Sequence, residues 1–166
     1  MKHLKKFLAV ALVCVMALTV LTGCGKSTAD YQRELNGALT SAKIGVKVDD
    51  HLNKGAEQIV KAIGSAVKGY LSGKEVDYDK LVEDTAKKAN LSDDTQWCMN
   101  INAYGQSVNY GFDHSESSST ANPTNFFVKE LESYNANHTE KLTKVGVAMY
   151  RVPVVGIEVV IMLAGK

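Results

Sequence analysis

The sequence has few cysteines, no excess of charge of either sign and, past its first two dozen residues, no apolar run long enough to cross a bilayer. Each shortage excludes something. Cysteines at 14, 24 and 98 are too few for a disulfide-stapled scaffold. The late apolar run, Val154 to Ala164, is short and is broken by Gly156 and Glu158, so it is not a membrane span. Lys and Arg total 19 against 18 acids, which supplies no basic field for nucleic acid. The chain also carries no internal repeat.

What is present begins at the N-terminus. Lys2, Lys5 and Lys6 precede a mostly apolar run from Phe7 to Leu21, the layout of a signal-peptide core. The run falls short of the ~20 residues that a permanent spanning helix needs. It ends in Leu21-Thr22-Gly23-Cys24. This stretch resembles the lipobox of bacterial lipoproteins, in which the cysteine thiol is acylated and the chain is cut just before it. The resemblance implies a signal peptide over 1–23, a lipidated tether over 24–30 and a single domain over 31–166. Two acyl chains suffice for stable anchoring where one does not, because each buried methylene contributes ~0.8 kcal/mol. The expected location is the extracytoplasmic face of the cell membrane. Cleavage removes three lysines and no acids, so the mature balance becomes 16 bases against 18 acids. Cys14 leaves with the signal, Cys24 is acylated, and Cys98 is the one thiol that remains.

Periodicity then predicts helices over about Ala29–Ala42, closed by Gly45, over Asp50–Leu71, and over Asp79–Ala89. Gly55, Gly64 and Gly69 in the second of these imply close packing against another element. Alternation predicts a half-buried strand from Trp97 to Ala103. Residues 105–121 hold serine, glycine and asparagine with almost no aliphatic anchor, and read as a long loop. Asn122-Pro123 opens a helix with Phe127, Leu131 and Tyr134 on one side. Lys144–Val152 and Ile157–Leu163 read as strands, the second apolar enough to be central and covered on both faces. The fold class is α/β (α+β): a small, mainly antiparallel sheet sandwiched between helices.

Four stretches occur in an order that resembles the CAP superfamily (cysteine-rich secretory proteins, antigen 5 and plant pathogenesis-related 1). They are "LNGALTSAKIGVKVDDHLNKGAEQIVKAI", "MNINAYGQ" at 99–106, "FVKELESY" at 127–134 and "NHTEKLTKVGVAMY" at 137–150. Many members place two histidines and two glutamates around a central cavity that can bind a divalent cation. The resemblance puts Glu130 on the helix glutamate and His138 on the second histidine. Met99 stands where the family has its other glutamate, and no histidine lies between the second helix and residue 97. Two ligands do not make a zinc site, so neither metal nor cofactor is expected.

Glu130 and His138 are eight residues apart and share a helix face, either as a general base pair, a metal remnant or a solvated edge. Cys98 is a candidate nucleophile for His138, or an inert core thiol. His114 sits among Asp113, Ser115 and Glu116, but triad members converge from separate elements. Tyr104, Tyr110, Phe112 and His114 are candidate ligand contacts. Two functions follow as expectations: a non-catalytic surface module for a cell-wall, protein or lipidic ligand, or a cavity hydrolase or peptidase using His138, Glu130 and Cys98. The anchor is directly testable. Cys24→Ala is expected to move the protein from the membrane fraction to the soluble fraction, read by fractionation and incorporation of labelled lipid.

Overall fold

The computed structural model describes residues 25–71, 73, 75–103, 106–117, 122–153 and 156–166. Residues 1–23, where a signal peptide is expected, lie outside the described residues, as do Cys24 and Tyr104. Ten elements follow in order: α1 (Thr28–Ser41), β1 (Lys47–Val48), α2 (Asp50–Leu71), α3 (Tyr78–Lys88), β2 (Gln96–Ala103), β3 (Gln106–Tyr110), β4 (Glu116–Ser117), α4 (Pro123–Asn137), β5 (Lys144–Val152) and β6 (Ile157–Gly165). Six strands form one sheet in the order β1-β5-β6-β2-β3-β4. Among the described residues β1 and β5 run parallel and every other strand pair is antiparallel. The mainly antiparallel sheet between helical layers is the architecture the sequence pattern implies.

Local chemistry sets the helix ends. Ser27 and Asp30 form a capping box at the start of α1, so the helix begins within the stretch read from sequence as tether. Asp49 Oδ1 accepts the Leu52 N–H at 2.9 Å ahead of α2, and Asp77 caps α3 through the Lys80 N–H. Asn122 caps α4, with Pro123 in its first turn. Gly45 does not close α1. Lys43 takes the left-handed position (φ 57°), where the Ile44 N–H reaches Leu39 O and the Lys43 N–H reaches Thr40 O. Asn90 (φ 54°) closes α3 in the same way.

Side-chain period 2 divides the sheet into two cores. Ile157, Val159, Ile161 and Leu163 of β6, with Met99, Ile101 and Ala103 of β2, face α2 and α3. Val160, Met162 and Ala164, with Cys98, Val145 and Val147, face α1 and α4. The strand β2 is therefore buried on both faces, and the expectation of a half-buried strand is corrected: β6 and β3 flank it, and a helical layer covers each side. Residues 105–121 are not one long loop either. Within them, β3 pairs with β2 through five residues, and its alternating polar side chains lie against Asn100. Asn100 is buried and its amide donates to Ser107 Oγ at 2.7 Å and Asn109 Oδ1 at 2.9 Å. Polar partners replaced the aliphatic anchors by which strands are ordinarily recognised.

The outer edge of β5 is completed piecemeal. Two residues of β1 pair with it first. Beyond them Asn53 Oδ1 accepts the Val147 N–H at 2.9 Å, and Thr28 Oγ1 accepts the Met149 N–H at 3.2 Å. Close approach of α2 to β5 makes this geometry available. A Cβ on Gly146 would lie 2.5 Å from Asn53 N and 2.6 Å from Leu52 Cβ, and one on Gly64 would strike the Tyr150 ring. Gly146→Ala is expected to destabilise the domain by about 1–3 kcal/mol, as overpacking against backbone does. Lys43→Gly should stabilise it by up to about 1 kcal/mol through relief at the left-handed position. Denaturant titration of the two variants against the parent reads both shifts.

Candidate functional site

The candidate residues gather where the end of β3 meets α4. After Tyr110 the chain makes a tight turn: the His114 N–H donates to Gly111 O at 2.9 Å, and the Gly111 N–H donates to Ser115 O at 3.1 Å. His114 takes φ 60°, a conformation non-glycine residues rarely adopt. Asp113 Oδ1 accepts both the Ser115 N–H at 2.9 Å and its hydroxyl at 2.6 Å. These two Ser115 donors hold the Asp113 carboxyl below its ordinary range. The stretch is a bonded turn, and Asp113 and Ser115 are turned to each other while His114 lies on Trp97. Those two rings stack at 4.1 Å with 28° between planes.

Helix α4 fastens this turn. Glu130 Oε2 accepts the Phe112 N–H at 3.1 Å. A Cβ on Gly111 would lie 2.6 Å from the same oxygen, so the carboxylate is seated where only glycine leaves room. Phe112 stands edge-on to Phe127 (5.8 Å, 84°) and to Tyr134 (6.0 Å, 83°). One turn further along α4, Tyr134 stacks on His138 at 3.9 Å and 7°. His138 ends the helix, exposed, with its Nδ1 donating to Tyr134 O at 2.9 Å. Glu130, Tyr134 and His138 thus form one stripe on the helix, with an aromatic ring between the carboxylate and the imidazole.

Cys98 lies beneath, buried in the core shared by α4 and the sheet. Burial pushes its thiol up, and the nearby negative charges of Glu130 and Asp113 push it further. The thiol stays protonated and behaves as a small hydrophobe; thiolate formation is disfavoured by the same carboxylate that a catalytic reading would recruit. Glu130 bonds to the Phe112 N–H and His138 to Tyr134 O, while Cys98 is buried, and among the described residues no three His, Cys, Asp or Glu side chains converge as metal ligands. Phe112 and His114 leave the same turn toward different sides, Phe112 onto Phe127 and Tyr134 of α4 and His114 onto Trp97 beside the α2/α3 core. Tyr110 does not join them: it is buried on the α2/α3 face, opposite Met99 in the register. Sequence reasoning missed the Glu130–Phe112 contact and the Trp97–His114 stack. Spacing carries no signal for either, since both depend on the turn at Gly111–His114.

Cys98 provides a direct check. An aromatic disulfide reagent at pH 8 is expected to leave this thiol unmodified in the native protein and to titrate it fully in denaturant. The sign for stability follows from the raised folded-state value. The unfolded thiol ionises near its ordinary value while the folded one does not, so the contribution of Cys98 is intact below pH ~8.5 and lost as pH rises above it.

Compared with protein-family models, with curated proteins and with solved structures, the chain gives no match.

Proposed function

We propose that this chain is a lipoprotein of the bacterial envelope, acylated at Cys24, whose α/β domain is of the CAP kind and acts as a non-catalytic binding module at the cell surface. A cell-wall, protein or lipidic ligand is the partner, and the membrane is engaged through the lipid. The lipobox at 21–24 supports the anchor. Helices on both faces of a sheet whose closing hairpin lies in its interior agree with what the family resemblance implies.

One observation carries the binding reading: the residues that chemistry would need are occupied in holding shape. Glu130 is spent on a backbone N–H, Cys98 is a buried thiol, and His138 is exposed and stacked on Tyr134. Nucleophilic catalysis requires a base within hydrogen-bond reach of the nucleophile and a third group to orient it. These contacts leave two exposed imidazoles lying flat on aromatic rings, His114 on Trp97 beside the α2/α3 core and His138 on Tyr134 of α4. Stacked rings of this kind offer area and polar edges at low entropic cost to a partner.

Both histidines are exposed, so their removal spares the core. The His114→Ala/His138→Ala double variant is expected to fold normally and to lose most of the material that the wild-type protein captures from native envelope. Undiminished capture by the variant sinks the reading, and so does a His138-dependent hydrolysis by the purified protein.

A further inference from the structure

The outermost strand of the sheet, β1, is paired on one side only. The Lys47 N–H donates to Thr143 O at 2.9 Å and the Asp49 N–H to Val145 O at 2.8 Å, so these two residues turn their backbone toward β5. Backbone groups alternate in direction along a strand, and those of Val46 and Val48 therefore point away from the sheet. Among the described residues neither of these N–H groups has a hydrogen-bond partner. The side chains alternate as well, as in an extended chain. Ile44 and Val46 are half-buried against the α1/α4 core, while Lys43, Gly45 and Lys47 are exposed. Val48 lies beside Val145 of that same core, yet it is 36% exposed, the one large apolar side chain left so among the described residues.

An edge of this kind accepts a strand from another chain, and the residues along it select the strand that fits. The stretch Lys43-Ile44-Gly45-Val46-Lys47-Val48-Asp49 is complementary to itself when reversed about Val46. Antiparallel pairing of two copies then sets Val46 opposite Val46, Ile44 opposite Val48 and Lys43 opposite Asp49, an apolar match flanked by opposite charges. Ile44 of one copy covers the exposed Val48 of the other. On the opposite face Lys47 meets Gly45, where an added Cβ would find nothing within 4 Å, so its side chain has room and no like charge before it. The hydrogen bonds match too. The Val46 N–H and C=O exchange bonds with their counterparts, and the Val48 N–H reaches Ile44 O of the other copy. The Ile44 N–H is not needed, since Leu39 O already accepts it. Symmetry about Lys47 would put ammonium against ammonium, and symmetry about Val48 would put Val46 against Asp50, which is already in α2.

We propose that β1 is a self-association edge, through which two copies of this chain pair antiparallel over residues 44–48 about Val46 and join their sheets into one. The contact is isologous: the same strand serves both copies, and the pair closes without leaving a β1 edge for a third. It cannot spread along β5, because the next donors there are held by Asn53 and Thr28. A strand pair this short associates weakly between free molecules and gains from any confinement that raises the local concentration of copies. It involves neither His114 nor His138, so it stands independently of the binding role proposed above.

Disulfide trapping tests both the pairing and its register. Antiparallel partners have α-carbons ~5.5 Å apart in a hydrogen-bonded pair and ~4.5 Å apart otherwise, both within the ~4.4–6.8 Å that a disulfide spans. Full-length protein in mild detergent is oxidised with copper phenanthroline and read on non-reducing gels, with the parent chain setting the background from its own cysteines. Val46→Cys is expected to give a linked dimer several-fold above the parent. A mixture of Gly45→Cys and Lys47→Cys, both at exposed positions that leave the core alone, should do the same. Neither of those variants should do so by itself, since like positions lie about 8 Å apart across the axis. Adding Val48→Lys to Val46→Cys should return it to background. The pairing is overturned if Val46→Cys and the mixture stay at background, if all variants link equally, if Lys47→Cys alone links as well as Val46→Cys, or if Val48→Lys changes nothing. Oxidation in crude extract that joins Val46→Cys to other proteins in place of a second copy also overturns it.

Discussion

The fold depends on one strand being buried on every side. All nine residues of β6 pair with β5 on one edge, and the first eight pair with β2 on the other. Their odd members enter one core and their even members the other. Neither helical layer has an independent centre, so α2 with α3 and α1 with α4 are held together through the same strand. A single charge interrupts β6. Glu158 sits at the rim, where Tyr31 Oη donates to it at 2.7 Å and Arg151 pairs with it at 3.0 Å. Burial, and then the hydrogen bond to Glu158, raises the Tyr31 phenol above its ordinary value, so the hydroxyl remains a donor. The carboxylate is thus paid for by a neutral and a cationic partner in a half-wet setting, which is how a charge survives in such a strand.

The same economy governs the end of the sheet where the candidate residues meet. A carboxylate closes a turn, a glycine makes room for it, and a phenylalanine whose N–H it accepts is braced by two rings. The groups that look reactive one by one have each been given a structural partner. What remains outward are two imidazole faces, each laid flat on an aromatic ring.

The elements most legible in the sequence were those whose apolar periodicity is strong. The second helix, over 50–71, and the strand over 144–152 are found at the bounds that periodicity gives, and the final strand extends two residues beyond Leu163. The glycines at 55 and 64 correctly signalled contact, with Leu91 and Tyr150 respectively. The failures share a cause. In β3 only Val108 and Tyr110 are apolar, and the strand is held by Asn100, Ser107 and Asn109 satisfying one another across the ladder. Hydrophobic pattern cannot report a strand stabilised by amides. Helix termination at Lys43 was equally hidden, because a lysine in left-handed conformation is selected by the bonds around it and not by its own preference. In the candidate region, Glu130, His138, Phe112 and His114 were visible as individual residues. Their partners were not, since these are set by a turn at Gly111–His114 whose geometry pattern does not encode.

The piecemeal completion of the β5 edge has a consequence beyond the single molecule. An edge strand left bare is a template for a strand of another chain, and that hazard grows when copies are confined to a surface. Here β1 covers the first stretch and stops after two residues, and the next donors are taken by an asparagine from α2 and a threonine from α1. Side chains cannot be extended into a further ladder, as a strand could be. Past the two residues of β1, a strand of another chain would find the next donors of β5 already taken.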